Sequence, residues 1–110
     1  MTSDILERLY ALILERRNAD PESSYIAKRL QQGTAKIAQK VGEEAVETVI
    51  AAMQKDTGEL VAESADMIFH WLMLLVDADV KLDEVMTELK RREGISGLDE
   101  KANRKLKKGE

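Results

Sequence analysis

Two short blocks of carboxylates are the residues of this sequence best suited to chemistry. The first block, Glu43–Glu47, reads EEAVE, and the second, Glu63–Asp66, reads ESAD after fifteen intervening residues. On a helix, which advances about 100° per residue, the acids of each block fall on one narrow arc. Two such arcs facing each other would bring together hard oxygen ligands, which suit Mg²⁺ or Mn²⁺. The spacing therefore predicts a divalent-metal site that supports phosphate chemistry.

Charge repulsion explains why such a cluster would bind a cation. Carboxylates held close together raise one another's pKa values unless a positive charge compensates them. A divalent ion provides that charge, and it can also bind pyrophosphate oxygens and orient or deprotonate a water. A carboxylate left over from metal binding could act as general base, and nearby lysines could hold phosphates.

Ordinary surface charge is the alternative interpretation of these acids. Glu-rich helices are common, and Lys36 and Lys40 could simply be ion-pair partners of the first block. The second block favours a cluster, because Glu63 and Asp66 lie on the most hydrophobic helix predicted in the chain. A di-iron site is disfavoured, since it normally needs Glu-x-x-His pairs and the single histidine, His70, has no glutamate three positions before it. His70 is then either a satisfied core or interface residue or a group that supports the metal ligands.

The elements that must position these residues are predicted to be helices throughout. Apolar residues recur at spacings of three and four, while a single proline and few aromatic residues argue against a sheet. We expect an all-α, antiparallel bundle of four to five helices in residues 1–93, completed by dimerisation and followed by a basic tail, residues 94–110. The expected helices begin at Ser3 or Asp4, after Ser23 or Ser24, and near Thr34, Gly58 and Leu82; they end before Asn18 and near Leu30, Lys55, Asp77 and Glu93.

The two central helices are predicted to be buried to different extents. In the helix from Thr34 to Lys55, acids and lysines share one arc and apolar residues the opposite arc, which is expected to build core. Those apolar residues are Ile37, Val41, Ala45, Val46, Val49 and Ala52. The helix from Gly58 to Asp77 is apolar nearly all round and is therefore expected to be buried. Because a monomer would expose too much of this apolar surface, we expect a homodimer or higher homo-oligomer.

Composition limits the remaining possibilities. The 110 residues suffice for one domain, and the net charge of −4 gives no electrostatic footprint for nucleic acid or an anionic membrane. The absence of cysteine excludes disulfides and thiol chemistry. The amino terminus lacks the basic and apolar regions of a signal peptide, and no apolar run is long enough to span a membrane. A soluble cytoplasmic protein that acts on a small molecule is therefore expected.

Longer stretches of the sequence resemble a known family. Ser24–Lys28 (SYIAK), Gly33–Ala45 (GTAKIAQKVGEEA) and Ala65–His70 (ADMIFH) are similar to the phosphoribosyl-ATP pyrophosphatases of histidine biosynthesis. That family belongs to the all-α, MazG-like superfamily of nucleotide pyrophosphohydrolases, whose signature the two acidic blocks match. The resemblance covers the chain from Leu6 to about Arg104. It implies Mg²⁺-dependent hydrolysis of N1-(5-phosphoribosyl)-ATP to phosphoribosyl-AMP and pyrophosphate, with Mn²⁺ as a possible substitute for Mg²⁺. It also implies a homodimer, and a stand-alone form without the cyclohydrolase domain of some relatives.

The resemblance also implies roles for individual residues. The metal-ligand positions of the superfamily fall on Glu44, Glu47, Glu63 and Asp66. Catalytic carboxylates are expected at Glu43, Glu44 and Glu47, with Glu43 orienting water or supporting the ligands. Contacts to substrate phosphates are expected from Lys28, Lys36 and Lys40, and more weakly from Arg29.

Two other functions remain open at this point. A house-cleaning pyrophosphohydrolase of the same fold would use the same chemistry on a free (d)NTP. A helical dimer acting as a binding module would show no dependence on a divalent ion. The sequence also departs from the family at Lys81, where relatives often place a Ser N-cap, and in a tail more basic than the motif requires, which favours a solvated end over a phosphate clamp.

Overall fold

The computed structural model describes residues 2–94 and Arg104, and this part of the chain is all-helical, as predicted. It forms five α-helices and no strand. Their bounds are Thr2–Arg16 (α1), Tyr25–Gln31 (α2), Thr34–Met53 (α3), Thr57–Asp77 (α4) and Leu82–Arg92 (α5). None of the helices in this part is long and apolar enough to cross a membrane. The basic tail expected in residues 94–110 lies, apart from Gly94 and Arg104, outside the described residues.

Local signals set most helix boundaries. The Ser24 hydroxyl accepts a hydrogen bond from Ala27 N at 3.2 Å and caps α2, while Asp56 caps α4 in the same way through Glu59 N at 3.0 Å. Gly33 joins α2 to α3 with a φ of 96°, a backbone conformation that favours glycine. These contacts satisfy backbone N–H groups that have no partner inside the helix.

The first helix begins earlier than predicted, whereas α5 begins at Leu82 as predicted but without a side-chain cap from Lys81. The first helix begins at Thr2, so the prediction of Ser3 or Asp4 as N-cap is wrong, and both residues lie in the first turn. Lys81 precedes α5 and offers no acceptor, but Glu84 Oε2 accepts a hydrogen bond from Lys81 N at 2.8 Å. A capping box has two hydrogen bonds, and this one, from the backbone N–H before the helix to a glutamate side chain, does not require a Ser or Thr.

The bundle is built around the α3–α4 hairpin. The three residues 54–56 connect these helices, which therefore run antiparallel and form the most extensive helix–helix contact in the described chain. The α1 helix packs on α4, and α2 contacts α1, α3 and α4. The fully buried side chains at the centre are Ile13, Ile37, Leu72, Met73 and Val76.

The predicted inner face of α3 is partly wrong. The buried residues of this helix are Ile37, Glu44 and Ala51, which repeat every seven residues and therefore lie on one face. By contrast, Val46 and Val49 are 58% and 60% exposed. The helix thus turns a carboxylate towards the core and leaves valines at the surface. A helical wheel separates polar from apolar arcs, but it does not show which arc faces the neighbouring helix.

The prediction that α4 is buried along its length holds only for its carboxyl-terminal half. Its buried residues all lie from His70 onwards, where α1 packs. Nearer its amino terminus, Val61 is 71% and Ile68 39% exposed. The carboxylates of the second block therefore lie in the less covered half of the helix.

Candidate metal centre

Carboxylates from α3 and α4 converge at the contact between the two helices. Glu44 comes from the buried face of α3, and Glu63 and Asp66 come from the polar stripe of α4. One ligand oxygen from each of the three lies within 4.8 Å of the other two. The antiparallel hairpin produces this arrangement, because it places the middle of α3 beside the amino-terminal half of α4. Three of the four predicted metal ligands are thus brought together.

The fourth predicted ligand, Glu47, lies beside the same group. The adjoining Glu47 carboxyl is the largest cause of a Glu63 pKa raised to about 7. Burial adds to the shift, and the neighbouring Glu44 carboxyl adds further. An acid with such a pKa keeps its proton to near-neutral pH, because ionising it would place like charges next to one another. The carboxyl groups of Glu47 and Glu44 therefore disfavour ionisation of Glu63.

Two oxygen atoms of the cluster have no hydrogen-bond partner within the described residues. They are Glu44 Oε2 and Glu63 Oε2, and both are buried. Buried polar atoms in proteins are nearly always hydrogen-bonded, and leaving one without a partner is unfavourable. A divalent cation with oxygen ligands would satisfy both atoms and neutralise the repulsion. The donor set, carboxylates alone, fits Mg²⁺ or Mn²⁺ rather than a metal that prefers sulfur or imidazole.

Lys40 lies at the edge of the cluster as an ion-pair partner. Its Nζ is 3.5 Å from Glu44 Oε1 and 3.9 Å from Glu43 Oε1. The pairing expected for surface acids is therefore present, although it engages only one oxygen of Glu44.

Glu43 has a different environment from the three converging acids. It is exposed and accepts a hydrogen bond from Gln39 Nε2 at 2.9 Å. This hydrogen bond is the largest cause of a lowered Glu43 pKa, and the charges of Lys40, Lys36 and Arg29 lower it further. Glu43 is thus kept ionised at the outer edge of the site, and its oxygens do not belong to the converging set.

The remaining predicted phosphate-binding residues, Lys36 and Lys28, are both exposed, and only Lys36 lies near an acid of the first block. Lys36 is exposed and near enough to Glu43 to lower its pKa. Lys28 is also exposed and lines a cavity of about 430 Å³ with residues 21–25. A second cavity, of about 250 Å³, opens directly beside the cluster and is lined by Glu47, Ile50, Ala51, Gln54, Glu59 and Glu63.

Sequence reasoning missed a hydrogen-bonded group that adjoins Asp66. His70 is 5% exposed and its Nδ1 lies 2.8 Å from the Asp66 carbonyl oxygen. Its Nε2 is 2.7 Å from the hydroxyl of Tyr25, which lies on α2. The only available signal was the i,i+4 spacing of Asp66 with His70 and of Tyr25 with Arg29. The contact between Tyr25 and His70 joins residues 45 positions apart and leaves no trace in local sequence.

The fold and the cluster together define a class of protein, an all-α bundle with converging carboxylates that could hold a metal ion. Comparison with known proteins narrows this class. Residues 6–93 match the family described as phosphoribosyl-ATP pyrophosphohydrolase. This chain belongs to that family.

Full-length relatives show the same similarity. The chain is 61% identical over 99 residues to the phosphoribosyl-ATP pyrophosphatase of Erythrobacter litoralis, covering 90% of this chain and 95% of the relative. It is 59% identical over 101 residues to the protein of the same name from Novosphingobium aromaticivorans, covering 92% and 94%. For that of Zymomonas mobilis, the identity is 52% over 104 residues, covering 94% and 97%. The similarity therefore extends over nearly the whole of each chain.

Proposed function

We propose that this protein hydrolyses N1-(5-phosphoribosyl)-ATP to phosphoribosyl-AMP and pyrophosphate with Mg²⁺, the second step of L-histidine biosynthesis. The shared name and high identity of its relatives support the substrate. The observation that carries the metal dependence is the pair of unpartnered buried oxygens, Glu44 Oε2 and Glu63 Oε2. From the biosynthetic role, we place the activity in the cytoplasm.

The residues that hold the cation are the four acids predicted as ligands. Glu44, Glu63 and Asp66 provide converging oxygens, and Glu47 adjoins them through Glu63. When bound, the ion supplies positive charge for the pyrophosphate oxygens and favours deprotonation of a water. Mn²⁺ accepts the same oxygen ligands and is expected to substitute for Mg²⁺.

The remaining charged residues act on water and phosphates. Water forms a new bond to phosphorus while the bond between the α- and β-phosphates breaks, so that pyrophosphate leaves. Glu43, kept ionised by Gln39 and Lys40, is placed to accept a hydrogen bond from water and orient it. Lys28, Lys36 and Lys40 supply positive charge for the phosphates, which lysine provides as a point charge.

We also propose that the active form is a homodimer. The α3 helix exposes an apolar face at Val46, Val49 and Met53, the last with 78% of its side chain accessible. Val61 on α4 is 71% exposed as well. Several large apolar side chains exposed on one helix face, as at Val46, Val49 and Met53, are typical of an interaction site in soluble proteins. A second copy of the chain would cover it with the same surface around a two-fold axis.

The substrate assignment is tested by measuring pyrophosphate release from phosphoribosyl-ATP and from a panel of NTPs and dNTPs, with Mg²⁺ and with EDTA. We expect turnover with phosphoribosyl-ATP alone and its loss in EDTA. Preference for a free nucleotide would instead assign the site to house-cleaning hydrolysis. Absence of turnover on every compound would favour a binding module and contradict the proposal.

A further inference from the structure

A chain of four hydrogen-bonded groups connects the metal centre to a cation on α2. The Asp66 carbonyl oxygen contacts His70 Nδ1, and His70 Nε2 contacts the Tyr25 hydroxyl. The Tyr25 oxygen in turn accepts a hydrogen bond from Arg29 Nε at 2.9 Å. The chain therefore begins at a residue of the carboxylate cluster and ends at a guanidinium.

The chemistry of the two end groups determines the hydrogen bond at each end of the chain. A carbonyl oxygen can only accept, so His70 Nδ1 carries a proton and donates a hydrogen bond to Asp66 O. An arginine N–H can only donate, so the Tyr25 oxygen accepts from Arg29 Nε. In the neutral imidazole that donates through Nδ1, Nε2 has a lone pair and accepts the Tyr25 O–H. With that tautomer the chain has one direction, and removing a middle group leaves partners unsatisfied on both sides.

Packing holds the middle of the chain in place. The Tyr25 ring stacks on Phe69 with a centroid distance of 6.4 Å and meets His70 edge-on at 5.9 Å. The guanidinium carbon of Arg29 lies 5.1 Å from the centre of the Tyr25 ring. This distance is within the range of a cation–π contact, so Tyr25 orients Arg29 through both its hydroxyl and its ring.

The charge of Arg29 is not neutralised by a carboxylate within the described residues. Among the described residues, Arg29 donates hydrogen bonds to two neutral oxygens and forms no ion pair. Arg29 Nε donates to the Tyr25 hydroxyl, and Arg29 Nη1 donates to Gln32 Oε1 at 2.8 Å. A half-buried guanidinium bound in this way keeps its positive charge and several N–H groups for another anion. The charge of Arg29 also lowers the pKa of Glu43, after the larger effect of Gln39, so it acts on the same edge of the site as Lys36 and Lys40.

We propose that Tyr25 and His70 are positioning residues that hold Arg29 beside the carboxylate cluster, where Arg29 binds a phosphate group of the nucleotide substrate. This inference rests on the proposed function for the identity of the nucleotide. A fixed guanidinium recognises phosphate oxygens through paired N–H donors, and its affinity depends on its orientation. The role of Tyr25 and His70 is therefore exerted through Arg29.

The test is a double-substitution cycle with Tyr25→Phe and Arg29→Gln, followed by steady-state kinetics on phosphoribosyl-ATP with Mg²⁺. Each single substitution is expected to raise KM about tenfold, the usual effect of losing one charge-assisted contact, with kcat changed less than about twofold. In the Arg29→Gln background, Tyr25→Phe is expected to have no further effect on KM, because it acts through Arg29. If KM in the double variant rose by the product of the two single-variant increases, the two residues would act independently and the proposal would be overturned.

A matched control separates positioning from stability. Tyr10→Phe also removes a tyrosine hydroxyl with a hydrogen bond of 2.7 Å, donated to the Val80 carbonyl oxygen. It is expected to lower Tm in the same way as Tyr25→Phe but to leave KM unchanged. An equal rise of KM in both variants would show that the effect of Tyr25 is structural, and would overturn the proposal.

A binding measurement identifies the phosphate and does not depend on turnover. Inhibition constants for inorganic pyrophosphate and for phosphoribosyl-AMP are compared between the unsubstituted protein and Arg29→Gln. Weaker inhibition by pyrophosphate alone assigns Arg29 to the leaving phosphates, and weaker inhibition by phosphoribosyl-AMP assigns it to a phosphate that stays with the product. Unchanged inhibition by both compounds would contradict phosphate binding by Arg29. Because the unsubstituted protein is assayed first, failure of the proposed function is recognised independently, as absence of turnover.

Discussion

The two halves of α4 differ in their apolar content and in their surroundings. The carboxyl-terminal half packs against α1 and contributes Leu72, Met73 and Val76 to the core, each no more than 2% exposed. The amino-terminal half carries Glu63 and Asp66 and leaves Val61 largely exposed. The carboxyl-terminal half is packed within one chain, whereas the amino-terminal half has a buried Glu63 oxygen without a hydrogen-bond partner among the described residues and an exposed apolar side chain, Val61. The difference indicates that stability and function are separated along one helix.

The largest expected effect is the loss of activity when a carboxylate that we assign to the cation, on α4 or on α3, is neutralised. Asp66→Asn or Glu47→Gln is expected to lower kcat by at least about 1,000-fold, because the divalent ion supplies several kcal/mol of transition-state stabilisation. The helical content measured by far-UV circular dichroism should be unchanged. Glu88→Gln is the control, since Glu88 lies on α5 and pairs with Arg91 and Arg92. Unfolding of Asp66→Asn would show that the acid is structural and would remove the distinction between the two halves.

A substitution in the carboxyl-terminal half of α4 is expected to have the opposite result, a loss of stability without a loss of kcat. Leu72→Ala removes a fully buried side chain and is expected to lower the free energy of unfolding by about 2–5 kcal/mol. The molecules that remain folded should keep their kcat, because no carboxylate is altered. Chemical denaturation measures this change in the free energy of unfolding. The control is Leu89→Ala, at a half-exposed position on α5. A loss of kcat without a loss of stability would contradict this assignment.

The uncovered apolar face should determine the oligomeric state. Val49→Asp places a charge in the face that we assign to the second copy, and it is expected to raise the dimer dissociation constant by about 100-fold or more. Sedimentation velocity over a range of concentrations measures this change. Leu89→Asp, at a similarly exposed position on α5, is the control and should leave the dimer intact. A monomer in the unsubstituted protein at all concentrations would exclude this use of the face.

The smallest expected effect is on the pH dependence of the metal-free protein. The native pKa of Glu63 is about 7, above its ordinary value of 4.5, because of Glu47, burial and Glu44. Between these values the native state holds a proton that the unfolded chain has lost, so stability falls as pH rises through this window. Glu88 has the opposite shift, to about 2, because Arg91 and Arg92 stabilise its charge, so its contribution is lost only in acid.

Thermal unfolding of the metal-free protein between pH 4.5 and 8 measures this effect. The decline in Tm should be smaller in Glu63→Gln and should be suppressed by Mg²⁺. A Tm that rises with pH over this window, in the absence of metal, would contradict the account of the cluster.

Much of the fold follows from local signals in the sequence. Ser24 and Asp56 mark helix starts because their side chains accept from backbone N–H groups within three residues. The spacing of the acids also predicted that the arc of Glu43, Glu44 and Glu47 would face that of Glu63 and Asp66. Of these five acids, Glu44, Glu63 and Asp66 converge in the structure.

Features that depend on tertiary packing were not predictable in this way. The rotation of α3 that buries Glu44 and exposes Val46 is decided by its contact with α4 and not by the pattern within α3. The hydrogen bond between Tyr25 and His70 likewise depends on how α2 docks on α4. Helical periodicity identifies faces, whereas packing decides which faces meet.

The central claim, that the cluster is a divalent-metal site, is tested most directly by titrating Mn²⁺ into the metal-free protein and following free Mn²⁺ by electron paramagnetic resonance. We predict saturable binding in the unsubstituted protein and in Glu88→Gln, and its loss in a variant carrying both Glu63→Gln and Asp66→Asn with the helices intact. Binding of equal affinity in that double variant would place the metal elsewhere and contradict the account.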